Sequence, residues 1–274
     1  MEVRNPSRTS DRLVICATQA SDVEGTKPEA PHETMVLTSP GLPRQRNKIP
    51  KMAQDCDILL FIDEDFLLAP NYLAETIVAF EEKPEMVVAT GTVLADGIIG
   101  TGLTAAEGRR ILEADARLPP SKRTPRPAFS GYGCNMAIRT SVAFREGIRV
   151  DERLPLYTWQ KDVDFTRQLG RFGKLGWLPA ARGVHLGTKL GRGSGRRLGY
   201  SQVANPFYPT RKPNQGVYPA PYAARRIFGN FGANLLRAVW QEPHVDRRGR
   251  LRGNLLALGD LMRGKTAPEC ALDL

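Results

Sequence analysis

The stretch Asp57-Ile-Leu-Leu-Phe-Ile-Asp63-Glu64-Asp65 places five consecutive apolar residues directly before three acidic residues. A short apolar run with polar flanks is typical of a buried strand, and five apolar residues in a row indicate that both faces are covered, as in a parallel sheet flanked by helices. Loops at the carboxyl ends of strands line the ligand crevice of open α/β sheets. The three carboxylates are therefore predicted to lie where a substrate binds.

Segments with strand and helix patterns alternate on both sides of this stretch. The predicted strands are 13–18, 34–38, 86–94 and 134–138, with a short strand end at 183–186, and the predicted helices are 42–53, 70–83, 105–116 and 162–172. The Pro-rich stretch 119–127 is predicted to be a loop. The alternation favours an α/β fold. After Gly187 the sequence is rich in Gly, Arg and Pro, and two more helices are predicted near 222–240 and 251–263.

Composition excludes several classes of protein. The chain has 274 residues, of which 41% are hydrophobic and 25% charged, so it is not a disordered tail, a disulfide miniprotein or a membrane bundle. Its four cysteines, which include no Cys-x-x-Cys pair, indicate free thiols in a reducing compartment. The sequence contains neither an 18-residue apolar run nor a hydrophobic signal core at its start. We therefore expect a soluble, cytoplasmic protein with one large domain, or one domain and an appendage.

Charge is distributed unevenly along the chain. Residues 1–164 carry 20 basic and 24 acidic side chains, whereas residues 165–274 carry 19 basic and only 5 acidic ones. A basic C-terminal region indicates an anionic partner. This partner could be nucleic acid, a phospholipid surface or a phosphorylated substrate, and composition alone does not distinguish between them.

The acidic triplet is the first candidate site. Adjacent carboxylates repel one another, and Mg²⁺ or Mn²⁺ would take one or two of them while water and phosphate oxygens fill its remaining positions. A solvated acidic turn or a helix N-terminus is the alternative.

Three further segments carry candidate chemistry, each with a structural alternative. Asp162, at the start of a predicted helix, could act as a general base or could simply cap that helix. His185 could be a neutral metal ligand or a structural histidine. The loop 185–197, with Lys189 and Arg192 among four glycines, could close over a diphosphate or remain a solvated loop.

The segment Phe129-Ser-Gly-Tyr-Gly-Cys-Asn135 places small residues before a strand. Its glycines would let a ligand approach the backbone, and Asn135 could hydrogen-bond hydroxyl groups. A plain glycine turn that enters a core strand is the alternative.

Taken in order, five segments resemble the family 2 inverting glycosyltransferases of the GT-A fold, particularly the bacterial members that build exopolysaccharides. The matching segments are Gly41-Leu-Pro-Arg-Gln-Arg-Asn47, Asp57 to Asp65 with Phe66-Leu-Leu-Ala-Pro-Asn-Tyr-Leu73, Gly133-Cys-Asn-Met-Ala-Ile-Arg139, Lys161-Asp-Val-Asp-Phe165 and Gly183-Val-His-Leu186. The likeness spans residues 13 to about 212. It implies an open mixed sheet flanked by helices and the metal-dependent transfer of a sugar from a nucleotide-sugar donor to a hydroxyl group of a glycan or lipid-linked acceptor.

The resemblance also implies roles for particular residues. Asp63 and Asp65 would form the DxD motif that binds the divalent cation, Mn²⁺ or Mg²⁺, and the donor diphosphate, and His185 would complete the metal site. Asp162 would be the catalytic base. The residues assigned to the donor are Arg44, Asn47, Lys189 and Arg192, and those assigned to the acceptor are Gly133, Asn135 and Trp159.

Two departures from the family pattern stand out. The first strand and helix of the family, which cradle the nucleotide base, lie upstream of the segments found here, so we expect an N-terminally truncated GT-A-like catalytic domain over residues 1–198. Lys161 occupies a position where the family usually has Glu, and an ammonium group beside Asp162 would weaken that carboxylate as a base. A catalytically impaired, glycosyltransferase-like binding module is therefore the alternative function.

Residues 199–274 are predicted to form a basic, helical C-terminal extension. Residues 222–240 mix arginines with Ile227, Phe228, Leu235, Leu236 and Trp240, a pattern that suits a helix on an anionic membrane surface. A helix packed on the catalytic domain with its arginines in solvent is the other interpretation. The region has no recognisable nucleic-acid motif, so we expect no nucleic-acid partner. Peripheral contact of residues 222–264 with the inner face of the plasma membrane stays open beside the packed helix, which is the plainer interpretation.

Overall fold

A computed structural model of the chain shows two compact units that are interleaved along the sequence. The residues it describes are 9–25, 32–98, 100–119, 122–155, 160–188, 194–213, 217–239, 242 and 245–274. The first unit consists of Met1–Pro40, Gln45–Arg149 and Thr166–Leu190, and the second of Gly41–Arg44, Val150–Phe165 and Gly191–Leu274. The division into a catalytic domain and an extension at residue 198 stays a prediction, because compact units are not by themselves functional domains.

The first unit is built on a six-stranded mixed sheet. Its strands follow the spatial order β3-β7-β5-β8-β4, and β6 pairs with β8. The strands are β3 (Ile58–Ile62), β4 (Phe66–Leu68), β5 (Met86–Asp96), β6 (Arg126–Pro127), β7 (Asn135–Arg139) and β8 (Lys174–His185). The central pair β5 and β8 is parallel, and the other pairs are antiparallel. The expectation of an α/β fold with an open mixed sheet is confirmed.

Helices cover this sheet because each has one apolar face. They are α2 (Tyr72–Glu82), α3 (Ala105–Ala116) and α4 (Thr140–Arg145). In α2, Tyr72, Ala79 and Phe80 recur at helical spacing and are buried against the sheet. The helix α3 begins at a capping box, in which the Thr104 and Glu107 side chains satisfy each other's backbone N–H groups.

The strands differ from the sequence-based expectation in three features. The strand β8 is 12 residues long, whereas only its last residues were predicted. Within the described residues β3 pairs with β7 alone, in antiparallel orientation, so its apolar run does not indicate a parallel strand. The strands β1 (Leu13–Ala17) and β2 (Glu33–Leu37) form a separate two-stranded parallel sheet. Pairing between distant segments decides each of these features, and local composition does not report it.

Two helices begin in one unit and continue into the other. The helix α1 is Leu42–Lys48, followed by a 3₁₀ turn at Pro50–Met52, and α5 is Lys161–Leu169. Residue 160 precedes α5 with a φ of 82°, in the left-handed region, although it is a glutamine.

The second unit is helical in its C-terminal part. Its helices are α6 (Gly195–Phe207), α7 (Ala220–Arg237) and α8 (Arg247–Met262). The core between them includes Tyr200, Val203, Ile227 and Ala257. The helix α6 was not predicted, because its glycines and arginines resemble a loop, but Ser194 caps its N-terminus and Val203 and Ala204 pack against the other two helices.

A buried amide cluster specifies how these three helices pack. Asn234 of α7 donates hydrogen bonds to Gln202 of α6 and Asn254 of α8, both at 2.8 Å, and Asn254 donates to the backbone oxygen of Gly199 at 2.7 Å. Because a buried amide without partners is costly, this cluster disfavours other registers of the three helices.

We expect Gly91→Ala to destabilise the protein. A Cβ at Gly91 in β5 would lie 2.5 Å from the backbone oxygen of Ala181, which cannot move without disturbing the β5–β8 pairing. Such overpacking costs about 1–3 kcal/mol of unfolding free energy. The matched control is Gly229→Ala in α7, where nothing lies within 4 Å of the added Cβ and alanine favours the helix by about 0.5–1 kcal/mol. Urea unfolding of both variants measures the difference, and equal stability of Gly91→Ala and the parent chain would contradict the packing described.

Candidate metal centre

Strand pairing brings three distant segments of the first unit together. His185, the last residue of β8, pairs with Phe66 at the start of β4 on one side and with Asp96 at the end of β5 on the other. Irregularities in the β5–β8 register, at Gly91/Thr92 and Val93/Ala95, decide that Asp96 is the residue that comes opposite His185. Because Asp65 directly precedes Phe66, one imidazole lies between two carboxylates.

The imidazole of His185 contacts both carboxylates through its two nitrogens. Its Nδ1 is 2.8 Å from Asp96 Oδ1, and its Nε2 is 3.3 Å from Asp65 Oδ1. The Tyr132 hydroxyl donates to the other Asp96 oxygen at 2.6 Å. A carboxylate only accepts hydrogen bonds, so the hydrogen on Nδ1 is directed at Asp96 and Nε2 is the nitrogen that faces Asp65.

The second oxygen of Asp65 is held by the turn that follows β8. Thr188 donates to Asp65 Oδ2 from its backbone N–H at 2.8 Å and from its hydroxyl at 3.0 Å. Gly187 makes this turn possible, because it has a φ of 65° and a Cβ there would lie 2.2 Å from the backbone of Gly97. Asp65 is thus fixed in orientation with Oδ1 toward the imidazole.

Asp63 is fixed by a buried arginine. Arg46 of α1 is only 3% exposed, and its Nη2 donates to Asp63 Oδ1 at 3.0 Å and to the backbone oxygen of Gly133 at 2.7 Å. The guanidinium group also lies over the ring of Phe61. Arg46 therefore ties the end of β3 to the turn before β7 and compensates part of the acidic charge at the site.

The contacts shift the pKa values of the central groups strongly. Burial by itself would lower the pKa of His185, but hydrogen bonds to Asp65 and Asp96 outweigh burial and raise it to about 9. Burial would raise the pKa of Asp65, but hydrogen bonds from His185 and Thr188 lower it to about 2. The pKa of Asp96 is lowered by hydrogen bonds from His185 and Tyr132, which outweigh its burial. At neutral pH His185 is therefore a cation between two anions.

Asp63, Asp65 and His185 could also hold a divalent cation. Each offers one ligand atom, and these atoms all lie within 4.8 Å of one another. Neighbouring ligands of an octahedral Mg²⁺ or Mn²⁺ are about 3 Å apart, given metal–ligand bonds of about 2.1 Å, which is close to the 3.3 Å between His185 Nε2 and Asp65 Oδ1. Two carboxylates and one imidazole suit Mn²⁺, and a cation would take the place of the proton on Nε2.

Asp63, Asp65 and His185 are the three metal ligands predicted from the sequence, and the structure places them together. Two residues predicted to bind the acceptor are brought close to Asp63 by the β3–β7 pairing but are buried. Gly133 is engaged through its backbone oxygen, and Asn135 is 0% exposed, with its amide donating to Gly91 and its oxygen accepting from Thr90. In this arrangement Asn135 stabilises the sheet, and its role toward an acceptor stays a prediction.

The remaining predicted residues are distributed over both units. Asn47 is half-buried on α1 in the first unit. Arg44 and Asp162 belong to the second unit, where Arg44 pairs with Glu152 at 3.5 Å and Lys161 Nζ lies 3.5 Å from Asp162 Oδ1. Trp159, Lys189 and Arg192 lie outside the described residues. The roles of these residues stay predictions.

Sequence reasoning missed Arg46, Asp96 and Tyr132. The rule that identified Asp63, an acid at the end of a strand, also applies to Asp96, but β5 was predicted to end at residue 94, two residues before it. Tyr132 was read only as part of a glycine turn. Arg46 follows Leu42 by four residues and precedes Ile49 by three, so helical spacing places it on the apolar side of α1. The exposed Arg44 has only polar residues one turn further along the chain, and this difference is the signal that could have separated the two arginines.

Comparison with solved structures identifies the type of fold. Residues 1–349 of Staphylococcus aureus TarS align at 12% identity and a TM-score of 0.54, covering 95% of this chain and 72% of that one. The same TarS fragment in complex with UDP-GlcNAc aligns at 15% identity and a TM-score of 0.54, covering 95% and 73%. The mannosyltransferase PcManGT of Pyrobaculum calidifontis, in complex with GDP-Man and Mn²⁺, aligns less closely, at 14% identity and a TM-score of 0.48, covering 95% and 75%.

The chain therefore has a mixed α/β fold, with a central mixed sheet flanked by helices, that is similar to the fold of the TarS fragment. At 12–15% identity the likeness to TarS shows the fold alone and does not establish a shared substrate. No protein family and no curated protein sequence matches the chain.

We expect the affinity for Mn²⁺ to depend on pH. The cation needs Nε2 of His185 without its proton, and with a His185 pKa of about 9 each binding event below that pH releases one proton. The apparent affinity should rise about tenfold per pH unit from pH 6 to 8 and level off above the pKa. Calorimetric titration in buffers of different ionisation enthalpy measures both the affinity and the proton release. A flat profile would contradict ligation by His185.

The substitution Asp96→Asn should weaken Mn²⁺ binding to the site with deprotonated His185, although Asp96 is not a ligand. The affinity is therefore compared after correction for proton competition, because the variant also lowers the His185 pKa. The amide cannot hold the Nδ1 hydrogen as a carboxylate does, so the orientation and basicity of the imidazole are lost, which costs about 10–100-fold in affinity. The matched control is Glu113→Gln, which removes an exposed carboxylate from α3 in the same unit. Equal losses in the two variants would indicate a general charge effect instead of positioning by Asp96.

Proposed function

We propose that this chain transfers a sugar from a nucleotide-sugar donor to a hydroxyl group of a glycan or lipid-linked acceptor, with inversion at the anomeric carbon, in bacterial polysaccharide biosynthesis. The observation that carries the proposal is the group formed by Asp63, Asp65 and His185 at converging strand ends. It occurs in a fold shared with TarS, whose structure is known with UDP-GlcNAc. Ligand crevices of open α/β sheets lie at strand ends of this kind.

The first unit would bind the donor diphosphate. Asp63 and Asp65, as a DxD motif, and His185 would hold Mn²⁺ or Mg²⁺, and Asp96 and Arg46 would orient two of these ligands. The cation would stabilise the negative charge of the departing diphosphate. Further donor contacts are assigned to Arg44, Asn47, Lys189 and Arg192, and acceptor contacts to Gly133, Asn135 and Trp159.

Asp162 would act as the general base. Its carboxylate would take the proton from the acceptor hydroxyl, and that oxygen would attack the anomeric carbon from the face opposite the diphosphate. The carbon–oxygen bond to the diphosphate breaks as the new glycosidic bond forms, so a single displacement inverts the anomeric centre. The proposal places this chemistry in residues 1–198 and treats residues 199–274 as a basic extension.

One observation favours a second function, a catalytically impaired binding module. Lys161 is 4% exposed, and its ammonium group lies 3.5 Å from Asp162. A cation this close stabilises the carboxylate and weakens it as a base. Such a module would bind the nucleotide without turning it over, so binding and transfer have to be measured separately.

Two substitutions separate binding from transfer. Asp65→Asn should abolish the enhancement of UDP binding by Mn²⁺, because it removes a charged ligand. Asp162→Asn should leave UDP binding nearly intact and reduce transfer or hydrolysis of a nucleotide sugar by about 10²–10⁴-fold. Fluorescence titration with UDP and a coupled assay for UDP release give the two quantities. Metal-dependent UDP binding without any turnover by the parent chain would favour the impaired module, and UDP binding that is independent of Mn²⁺ would refute the proposed donor site.

A further inference from the structure

The helix α7 of the second unit is apolar on two opposite sides. Its inner side packs against α6 and α8 through Ile227 and Asn234, which are 7% and 0% exposed. The other side, with the turn that follows, carries Phe228, Leu235, Leu236 and Val239, which we call the outer face of α7. These four residues are 51% to 72% exposed.

The outer face is one continuous stripe. Phe228, Leu235 and Val239 are spaced at i, i+7 and i+11, which places them on the same side of a helix. Gly232 occupies the i+4 position of the same side of the helix. Nothing lies within 4 Å of a Cβ built on this glycine, so this part of the helix side is also uncovered. Single exposed apolar residues are common, but a stripe of four on one helix side indicates a surface that binds something.

The sequence pattern left open which of its apolar residues face a core. In the structure Ile227 points into the helical core, whereas Phe228, Leu235 and Leu236 are exposed. Trp240, the last member of that pattern, lies outside the described residues.

The charge around the outer face selects the chemistry of its partner. The segment Ala220–Arg237 contains three arginines and no acidic residue, and Arg225 and Arg237 are exposed. Arg248, at the start of α8, is also exposed and donates to the backbone oxygen of Ala238 at 3.1 Å, which places another cation beside Val239. The helix α8 adds the exposed apolar residues Leu255 and Met262 and has four arginines against one aspartate.

We propose that the outer face of α7 is a docking surface for an anionic lipid bilayer. An apolar stripe bordered by arginines suits a helix that lies in the headgroup region, with Phe and Leu side chains among the acyl chains and guanidinium groups on lipid phosphates. Among the described residues, none of the helices combines the length and the hydropathy needed to cross a bilayer. The helix would therefore lie along the surface. The proposal goes beyond sugar transfer and does not depend on the metal centre.

Vesicle cosedimentation of the full chain tests the proposal. We expect binding to vesicles of phosphatidylcholine mixed with phosphatidylglycerol, weaker binding at high salt because screening reduces the attraction of the arginines, and little binding to phosphatidylcholine alone. The double variant Phe228→Ser/Leu236→Ser should reduce the partition coefficient by about tenfold or more, since it removes most of the inserted apolar surface. Arg225→Gln/Arg237→Gln should reduce both the binding and its salt dependence.

The matched control is Leu118→Ser/Phe172→Ser, which removes one aliphatic and one aromatic side chain that are 59% and 38% exposed in the first unit. This variant should bind vesicles like the parent chain. Thermal unfolding verifies that all variants are folded, and UDP binding without vesicles reports separately on the donor site.

Three results would overturn the proposal. The first is no binding to either kind of vesicle, and the second is equal binding to neutral and anionic vesicles. The third is unchanged binding by Phe228→Ser/Leu236→Ser. Analytical ultracentrifugation without lipid tests whether the outer face instead binds a second copy of the chain. If the parent chain self-associates, Phe228→Ser/Leu236→Ser abolishes the association and neither kind of vesicle is bound, the outer face is a contact between copies of the chain.

Discussion

The position of one imidazole between two carboxylates is the interaction on which the candidate site depends. His185 can occupy it only because β8 pairs with β4 on one side and β5 on the other, and because the β5–β8 irregularities shift the register until Asp96 comes opposite. A register shift of one residue would turn each of these side chains to the other face of the sheet. The chemistry of the site is therefore a consequence of how the central sheet is paired.

The same arrangement explains how the site can be both stable and ready for a cation. Half-buried carboxylates close to one another repel, and the protonated imidazole and the Arg46 guanidinium compensate that repulsion. A divalent cation could replace the proton of His185 with little movement of Asp65, whose second oxygen is already held by Thr188. Fixing ligands in advance lowers the cost of binding, since less conformational freedom is lost.

The helical part of the second unit follows a different principle. Its three helices are aligned by a buried amide cluster as well as by apolar contacts, so polar groups specify the packing. That packing uses one side of α7 and leaves its opposite apolar side exposed. The stability of this core thus does not account for Phe228, Leu235, Leu236 and Val239.

The sequence by itself determined most helices and strands and the three residues that were proposed as metal ligands. Apolar runs and helical periodicity identified β1, β2, β3, β5, β7, α2, α3 and α7 within a few residues, because these patterns are local. Acids directly after a strand, and a histidine at a strand end, made Asp63, Asp65 and His185 candidates with structural alternatives, and the family resemblance then implied their role as metal ligands. The type of fold followed from the order of these segments.

Only the tertiary structure decided the features that depend on pairing. The antiparallel edge position of β3, the full length of β8 and the formation of α6 are set by contacts between segments far apart in the chain, which no local pattern reports. The contacts of Asp96, Arg46 and Tyr132 at the site were also decided by the tertiary structure, because their partners are far away in the chain. Which apolar residues of α7 face the core was likewise open in the sequence, because an amphipathic pattern gives the apolar positions of a helix but not the side from which its neighbours pack.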